Sequence, residues 1–206
     1  MYSETGAVIL SNHYMEIAIC VLISYIVGNI SPAILIGRLH GVEIRNEGSG
    51  NAGTTNVLRV FGKKAAIATL LTDVLKGTAA VVFFGLIFGK TAAMISVICV
   101  FAGHVWPALF GFRGGKGVAT AFGAIAGLNP VLGFSCFGVV CVAVLISKRM
   151  SVGSIAGCLS FPFLAYFTEP DFMIMGSVVA IIILIKHSGN IGRLARGEEP
   201  KISFKK

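Results

Sequence analysis

VATAFGAIAGLNPVLGFSCFGVVCVAVLI, residues 118–146, is the stretch whose reading decides the fold. It is apolar throughout and too long for one comfortable membrane crossing, which takes about 20 residues. Its middle carries Leu128-Asn129-Pro130, a turn signal. Divided there, it gives pieces at 118–128 and 131–147. The first would be about 16 Å long as a helix, so it has to be shielded by neighbours or extended by its flanks.

Outward from this stretch the chain repeats the pattern. Further apolar runs fall at 17–39, 65–88, 92–110, 152–167 and 172–185. With the divided stretch they predict an all-α polytopic membrane protein with seven transmembrane helices, N-terminus outside and C-terminus cytoplasmic. Lys and Arg test the count, because they accumulate on the cytoplasmic side. With seven crossings, all of the seventeen except Lys90, which falls outside, and Lys76, which lies within a run, sort to the inside. Were residues 118–147 a single crossing, Lys148, Arg149 and the basic tail would move outside. The outside connections are then very short (89–91, 129–130, 168–171), and the inside segments 41–64, 111–117 and 186–206 hold the polar clusters. The chain reads as one integral-membrane domain, 1–206, with an external extension at 1–14 and a basic tail at 200–206.

Composition agrees. The chain is 55% hydrophobic and 13% charged, with mean hydropathy +0.87, where a soluble domain has about 25% charged residues. The net charge of +8 reads as loop bias and not as a nucleic-acid footprint. Residues 1–16 include Glu4 and Glu16 but no Lys or Arg, so no signal peptide is read there. Cysteines 20, 99, 136, 141 and 158 lie in apolar runs without CxxC spacing, which points to neither a metal site nor a disulfide framework.

Four clusters could carry chemistry. Residues 45–59, RNEGSGNAGTTNVLR, gather Gly48, Ser49, Gly50, Asn51, Thr54, Asn56 and Arg59. They offer short donors on an easily bent backbone, suited to a polyanion or polyol, although a flexible linker would look similar. Within them 57–61 reads as a short interfacial helix. Asp73 and Lys76 share a helix face inside a run, either as a self-neutralising pair or as the wall of a polar cavity. GHVWPALFGFRGGKGVAT, residues 103–120, places Arg113, Gly114, Gly115, Lys116 and Gly117 before a helix start, a favourable place for a phosphate and equally an ordinary membrane-edge turn. It is not a Walker loop, because Phe110 stands where the first glycine belongs and Gly117 where Ser or Thr belongs. His104 precedes that turn, as a buried histidine or a supporting group. In the tail His187, Asn190 and Arg193 are spaced three apart, one polar stripe on a helix. GxSxG, HxxxxD, DxxxD and HExxH patterns do not occur. The groups suit holding phosphates better than forming a covalent intermediate, and no metal or cofactor is called for. A transporter for a phosphorylated solute would want similar basic turns at one face, but matching pairs of broken helices are not seen; an inert lipid-binding scaffold is a third reading.

Together the clusters resemble the bacterial membrane acyl-phosphate:glycerol-3-phosphate acyltransferases, on GSGNAGTTNVLR (48–59), the Asp-x-x-Lys-Gly of 73–77, GHVWPALFGFRGGKGVAT (103–120) and HSGNIGRLARGEE (187–199). The resemblance spans residues 23–199. It implies transfer of a fatty acyl group from acyl phosphate to the 1-hydroxyl of glycerol 3-phosphate, giving lysophosphatidic acid for phospholipid synthesis. It implies a multi-pass protein of the bacterial inner membrane with its site on the cytoplasmic side and functional coupling to the enzyme that makes acyl phosphate. By position it implicates Ser49 and Arg59; glycines 114, 115 and 117 with Lys116; His187 and Asn190; and Glu199 in a structural role. Gly48, Gly50, Asn51, Thr54, Asn56, Asp73, Lys76, His104 and Arg113 would line the substrate site. Arg113 stands where many members have lysine, which keeps the charge. The proton of the attacking hydroxyl would pass to His187 or to a substrate phosphate oxygen.

Overall fold

In lipid every backbone N–H and C=O must be paired within its own segment, so apolar runs of this length fold as helices. A computed structural model describes the backbone of residues 2–202 and the side chains of 14–202. Met1, the His13 side chain and residues 203–206, with the tail lysines Lys205 and Lys206, lie outside the described residues. The helices are α1 (Tyr2–Asn29), α2 (Pro32–Leu39), α3 (Thr54–Phe61), α4 (Lys63–Phe88), α5 (Lys90–Val105), α6 (Val118–Leu128), α7 (Pro130–Ser147), α8 (Met150–Thr168), α9 (Met173–Lys186) and α10 (Ser188–Ala195).

Asn129 and Pro130 divide the long stretch as expected. Pro130 takes the first position of α7, where its missing N–H costs nothing, and the Asn129 side chain caps α7 by accepting from the Leu132 N–H at 3.1 Å. The short α6 is shielded by α4. A Cβ on Gly77 would stand 2.4 Å from the Thr120 carbonyl oxygen, and one on Gly123 only 2.1 Å from that of Val74. The two backbones touch because both contact points are glycine.

Four boundaries differ from the sequence reading. α1 begins at Tyr2, within the segment read as an external extension, 1–14. Run 17–39 is not one helix. Pro32 lacks an N–H and disfavours helix before it, so Ser31 is extended and the chain breaks between α1 and α2. Run 92–110 ends as an α-helix at Val105, ahead of Pro107, and continues as a 3-10 turn, Ala108–Phe110. The interfacial helix starts at Thr54 instead of Val57.

Among the described residues, five segments are long and apolar enough to cross a membrane: Tyr14–Leu39, Lys63–Phe88, Lys90–Phe110, Pro130–Ser147 and Met150–Thr168. A sixth forms if Pro170–Lys186 and Ser188–Ala195, bent by 55°, count as one. The eleven residues of α6 are apolar but too short by themselves. The polar loops sort to two ends. At one, Lys90 Nζ lies 2.6 Å from Glu169 and 2.7 Å from Asp171, and Asn129 donates to Glu169 at 3.0 Å. These are the three short connections. At the other end Arg45 donates to the Phe110 carbonyl at 2.8 Å, and Lys116 donates to Asn190, so the three long segments meet there.

Candidate active site

Where the long segments meet, a cavity of about 540 Å³ opens and runs down between the helices. Its mouth is polar: Ser49, Asn51, Thr54, Arg59, Lys116, His187, Asn190 and Glu199 line it, with Asp73 and His104 deeper. Below, Ile125, Phe137, Val140, Phe161 and Val179 make an apolar wall.

Residues at the starts of α3, α4, α6 and α8 line this mouth, and the starts of α3 and α6 follow glycine-rich turns. α3 starts at Thr54 and α6 at Val118, and neither has a side-chain cap. The residues at both starts line the cavity. The first N–H groups of a helix have no partner within it and carry its positive end. Arg59, in the last turn of α3, and Lys116, two residues before α6, line the same cavity. The Thr54 hydroxyl has no hydrogen-bond partner among the described residues.

Lys116 donates to the Asn190 side-chain oxygen. Burial first, then the positive charges of Arg193 and Arg59, pushes its ammonium down to about 8, against a partly compensating Glu199. Glu199 gathers the tail and the helix ends around it: Asn190 donates to its carboxylate at 2.6 Å, Ser151 at 2.7 Å and Arg193 at 2.7 Å, while Arg149 donates to its carbonyl at 2.9 Å. Burial would raise the Glu199 carboxyl, but these three donors to it outweigh burial and hold it below the usual range. The structure thus joins a structural function to a place on the cavity wall.

His187 ends α9. Its Nδ1 lies 2.8 Å from the Ile183 carbonyl oxygen, which can only accept, so the proton sits on Nδ1 and the Nε2 lone pair is free. Burial, then the Lys116 charge, pushes the imidazole down to about 4, and it is neutral at physiological pH.

Several residues expected to line the site are placed otherwise. Gly114 and Gly115 turn inward against protein: a Cβ on the former would stand 2.0 Å from the His104 carbonyl oxygen, and on the latter 2.6 Å from that of Ala52. Their bareness lets the turn pack, with the Gly114 N–H donating to the Val105 carbonyl at 3.2 Å, and so aims Lys116. Gly117, at φ +84°, does line the cavity at the α6 start. Arg113 points out, its carbonyl accepting from Arg45 at 3.4 Å. Gly48 and Gly50 form left-handed turns away from the wall. Asn56 reaches the cavity, but its amide donates to the Ile44 and Glu47 carbonyls and its oxygen accepts from Ser49 N–H, so it holds the loop. Lys76 is turned away, paired with Asp73 at 2.8 Å. Cavity residues not foreseen are Lys63 and Lys201, whose basic runs read only as loop charge, and Ser151, which had no visible signal before its contact with Glu199.

Residues 18–197 match the family model described as Glycerol-3-phosphate acyltransferase. The glycerol-3-phosphate acyltransferase of Clostridioides difficile (strain 630) is 44% identical over 204 residues, covering 91% of this chain and 96% of that one. That of Shigella flexneri is 45% identical over 185 residues, covering 88% and 90%. Crystal structures of PlsY (YgiH), an integral membrane glycerol 3-phosphate acyltransferase, are similar in fold. Its glycerol 3-phosphate form superposes with TM-score 0.86 at 32% identity, covering 91% of this chain and 96% of that one; its lysophosphatidic acid form gives TM-score 0.83 at 31% identity. With a matching family, matching fold and motifs gathered at one cavity, the chain belongs to the glycerol-3-phosphate acyltransferase family and is an integral-membrane acyltransferase.

Proposed function

We propose that this enzyme transfers the acyl group of an acyl phosphate to the 1-hydroxyl of glycerol 3-phosphate, releasing phosphate and lysophosphatidic acid. The observation that carries the reading is the pair of uncapped helix starts that open, with Arg59 and Lys116, on one cavity with an apolar extension. Two phosphorylated substrates need two anion sites, and the acyl chain needs the apolar wall. Likeness to PlsY in its glycerol 3-phosphate and lysophosphatidic acid forms supports the same substrate and product.

Ser49, Thr54 and Arg59 with the α3 start hold one phosphate, with Asn51 beside them. Lys116 with the α6 start holds the other. The donor is already activated by its phosphate leaving group, so alignment and charge stabilisation supply most of the catalysis. The hydroxyl oxygen attacks the acyl carbon; an ester C–O bond forms, the C–O bond to phosphate breaks, and its electron pair leaves on phosphate. His187 Nε2 accepts a hydrogen bond from the hydroxyl and orients it, with Asn190 beside it. A phosphate, whose second pKa is about 6, outcompetes an imidazole at about 4, so the hydroxyl proton ends on the departing phosphate. We read the protein as a single domain of seven crossings, counting α6, with the N-terminus outside. In a bacterial inner membrane the mouth would face the cytoplasm, within reach of the enzyme that supplies acyl phosphate.

The test is purified protein in detergent with labelled glycerol 3-phosphate and either acyl phosphate or acyl-CoA. Label should enter lysophosphatidic acid with acyl phosphate alone. Equal use of acyl-CoA would overturn the donor assignment. No product with either donor, accompanied by uptake of label into vesicles, would point to transport.

A further inference from the structure

Beneath the Gly114–Lys116 turn, three buried side chains form a chain of contacts that fixes the proton of an imidazole. Lys76 Nζ has three N–H donors and no lone pair. Three acceptors surround it: the Ile30 carbonyl oxygen at 2.6 Å, Asp73 Oδ1 at 2.8 Å and His104 Nδ1 at 2.9 Å. A histidine nitrogen facing a fully engaged ammonium must be the one with the lone pair, so the ring proton of neutral His104 sits on Nε2. Asp73 Oδ1 lies farther from that Nδ1, at 3.3 Å, and meets the Lys76 ammonium at 2.8 Å as an ion pair without hydrogen-bond geometry. Asp73, Lys76 and His104 are 2%, 6% and 5% exposed, so this arrangement is screened from water.

The other ring edge faces the site. His104 lines the cavity, and its Nε2 is 2.4 Å from where a Gly115 Cβ would stand, one residue before Lys116. Among the described residues, Nε2 makes no hydrogen bond within the protein, its one side-chain partner meeting Nδ1. An N–H on the cavity wall with no protein partner is open to an acceptor on a bound guest. Next to the cation of one anion site, the fitting acceptor is an oxygen of the phosphorylated guest.

We propose that His104 is a substrate-contacting residue whose Nε2–H donates to a phosphate or acyl carbonyl oxygen of the bound guest, held in that tautomer by Lys76 as a positioning residue. Asp73 and the Ile30 carbonyl, at the break between α1 and α2, fix Lys76 in turn. The otherwise costly break and buried ion pair thereby acquire a task in the site. The proposal rests on the acyl-transfer reading above, and its tests separate the two.

His104→Gln keeps an amide N–H near the Nε2 position, whereas His104→Phe keeps the ring shape and loses the donor. Relative to wild type, the Phe variant should lose ten- to a hundred-fold in kcat/KM while remaining folded, and the Gln variant should stay within about threefold. An unaffected Phe variant, or equal loss in both, overturns the donor assignment. Absence of wild-type activity would instead sink the acyl-transfer reading, so a second measurement uses no turnover. Nitrogen-15 NMR of ring-labelled wild type should show His104 protonated at Nε2 and not at Nδ1, with that signal moving on addition of inorganic phosphate or glycerol 3-phosphate. In Lys76→Met the lone Asp73 carboxylate would demand a donor, and the proton should move to Nδ1. A wild-type Nδ1 tautomer, an Nε2 signal unmoved by either ligand, or a tautomer unchanged in Lys76→Met overturns the proposal. These readouts also stand if the Phe variant fails to fold.

Discussion

Lys116 is a cation that burial has made conditional. With its ammonium held down to about 8, it is charged below that pH and loses charge as pH rises through it. The log kcat/KM of the free enzyme should therefore fall above about pH 8, and Lys116→Arg, which stays charged, should remove that limb. Lys116→Met should raise KM for one phosphorylated substrate about ten- to a hundred-fold, the usual worth of a charged hydrogen bond; altered protein level with normal kinetics would refute the phosphate role. His187 behaves differently. A group at about 4 does not titrate between pH 6 and 9, so His187→Asn should lower kcat by the same factor across that range. Loss of an acid limb near 6–7 in the variant would make His187 the base after all. Neither shift was legible in the sequence, because each comes from burial and from charges on other segments that the fold brings close.

At the scale of elements, Glu199 and the glycine contacts decide the geometry. Glu199 joins α8, α10 and, through Asn190, the turn before α6. It also raises the Lys116 pKa against the other influences on it. Glu199→Gln removes that charge, so the basic limb of kcat/KM should move below pH 8 as well as lowering kcat; a limb left in place would show that Glu199 does not act on Lys116. The contact of α4 with α6 has no slack. A leucine at Gly123 would put its Cβ 2.1 Å from the Val74 carbonyl oxygen, and overpacking costs about 1–3 kcal/mol or more. Gly123→Leu should lower the detergent melting temperature and the folded yield, while Gly138→Leu, where no atom lies within 4 Å, should not. The turn signal at Asn129-Pro130 could be read directly, whereas Pro107 lay inside a run that extended to 110. Ser31-Pro32 carried the same signal and marks a break inside a run that otherwise looks continuous.

For the whole molecule, the grouping of loops at two ends makes orientation testable. All five cysteines are free, so a cysteine-free background can carry single cysteines at Lys90 and Arg113, both exposed. An impermeant maleimide on right-side-out vesicles should label the first and not the second. Labelling of both from one side would overturn the placing of the two loop groups on opposite sides, and labelling of the second alone would overturn the orientation. Here the sequence was most informative about which segments share an end, because lysines, arginines and short connections sort by end even where α6 is too short to cross by length alone.

Hydrophobic run length, prolines and basic loops by themselves determined a helical membrane protein with its polar motifs at one end, since lipid leaves an apolar backbone no other way to pair its hydrogen bonds. The motifs also named the residue types at the mouth. Which of them face it was decided only in three dimensions. Gly114, Gly115, Asn56 and Lys76 spend their special chemistry on packing and on holding neighbours, while Lys63, Lys201 and Ser151 reach the cavity. A glycine that admits a ligand and one that admits a neighbouring carbonyl read the same in sequence, because the difference lies in which atom from a distant segment fills the space a Cβ would occupy.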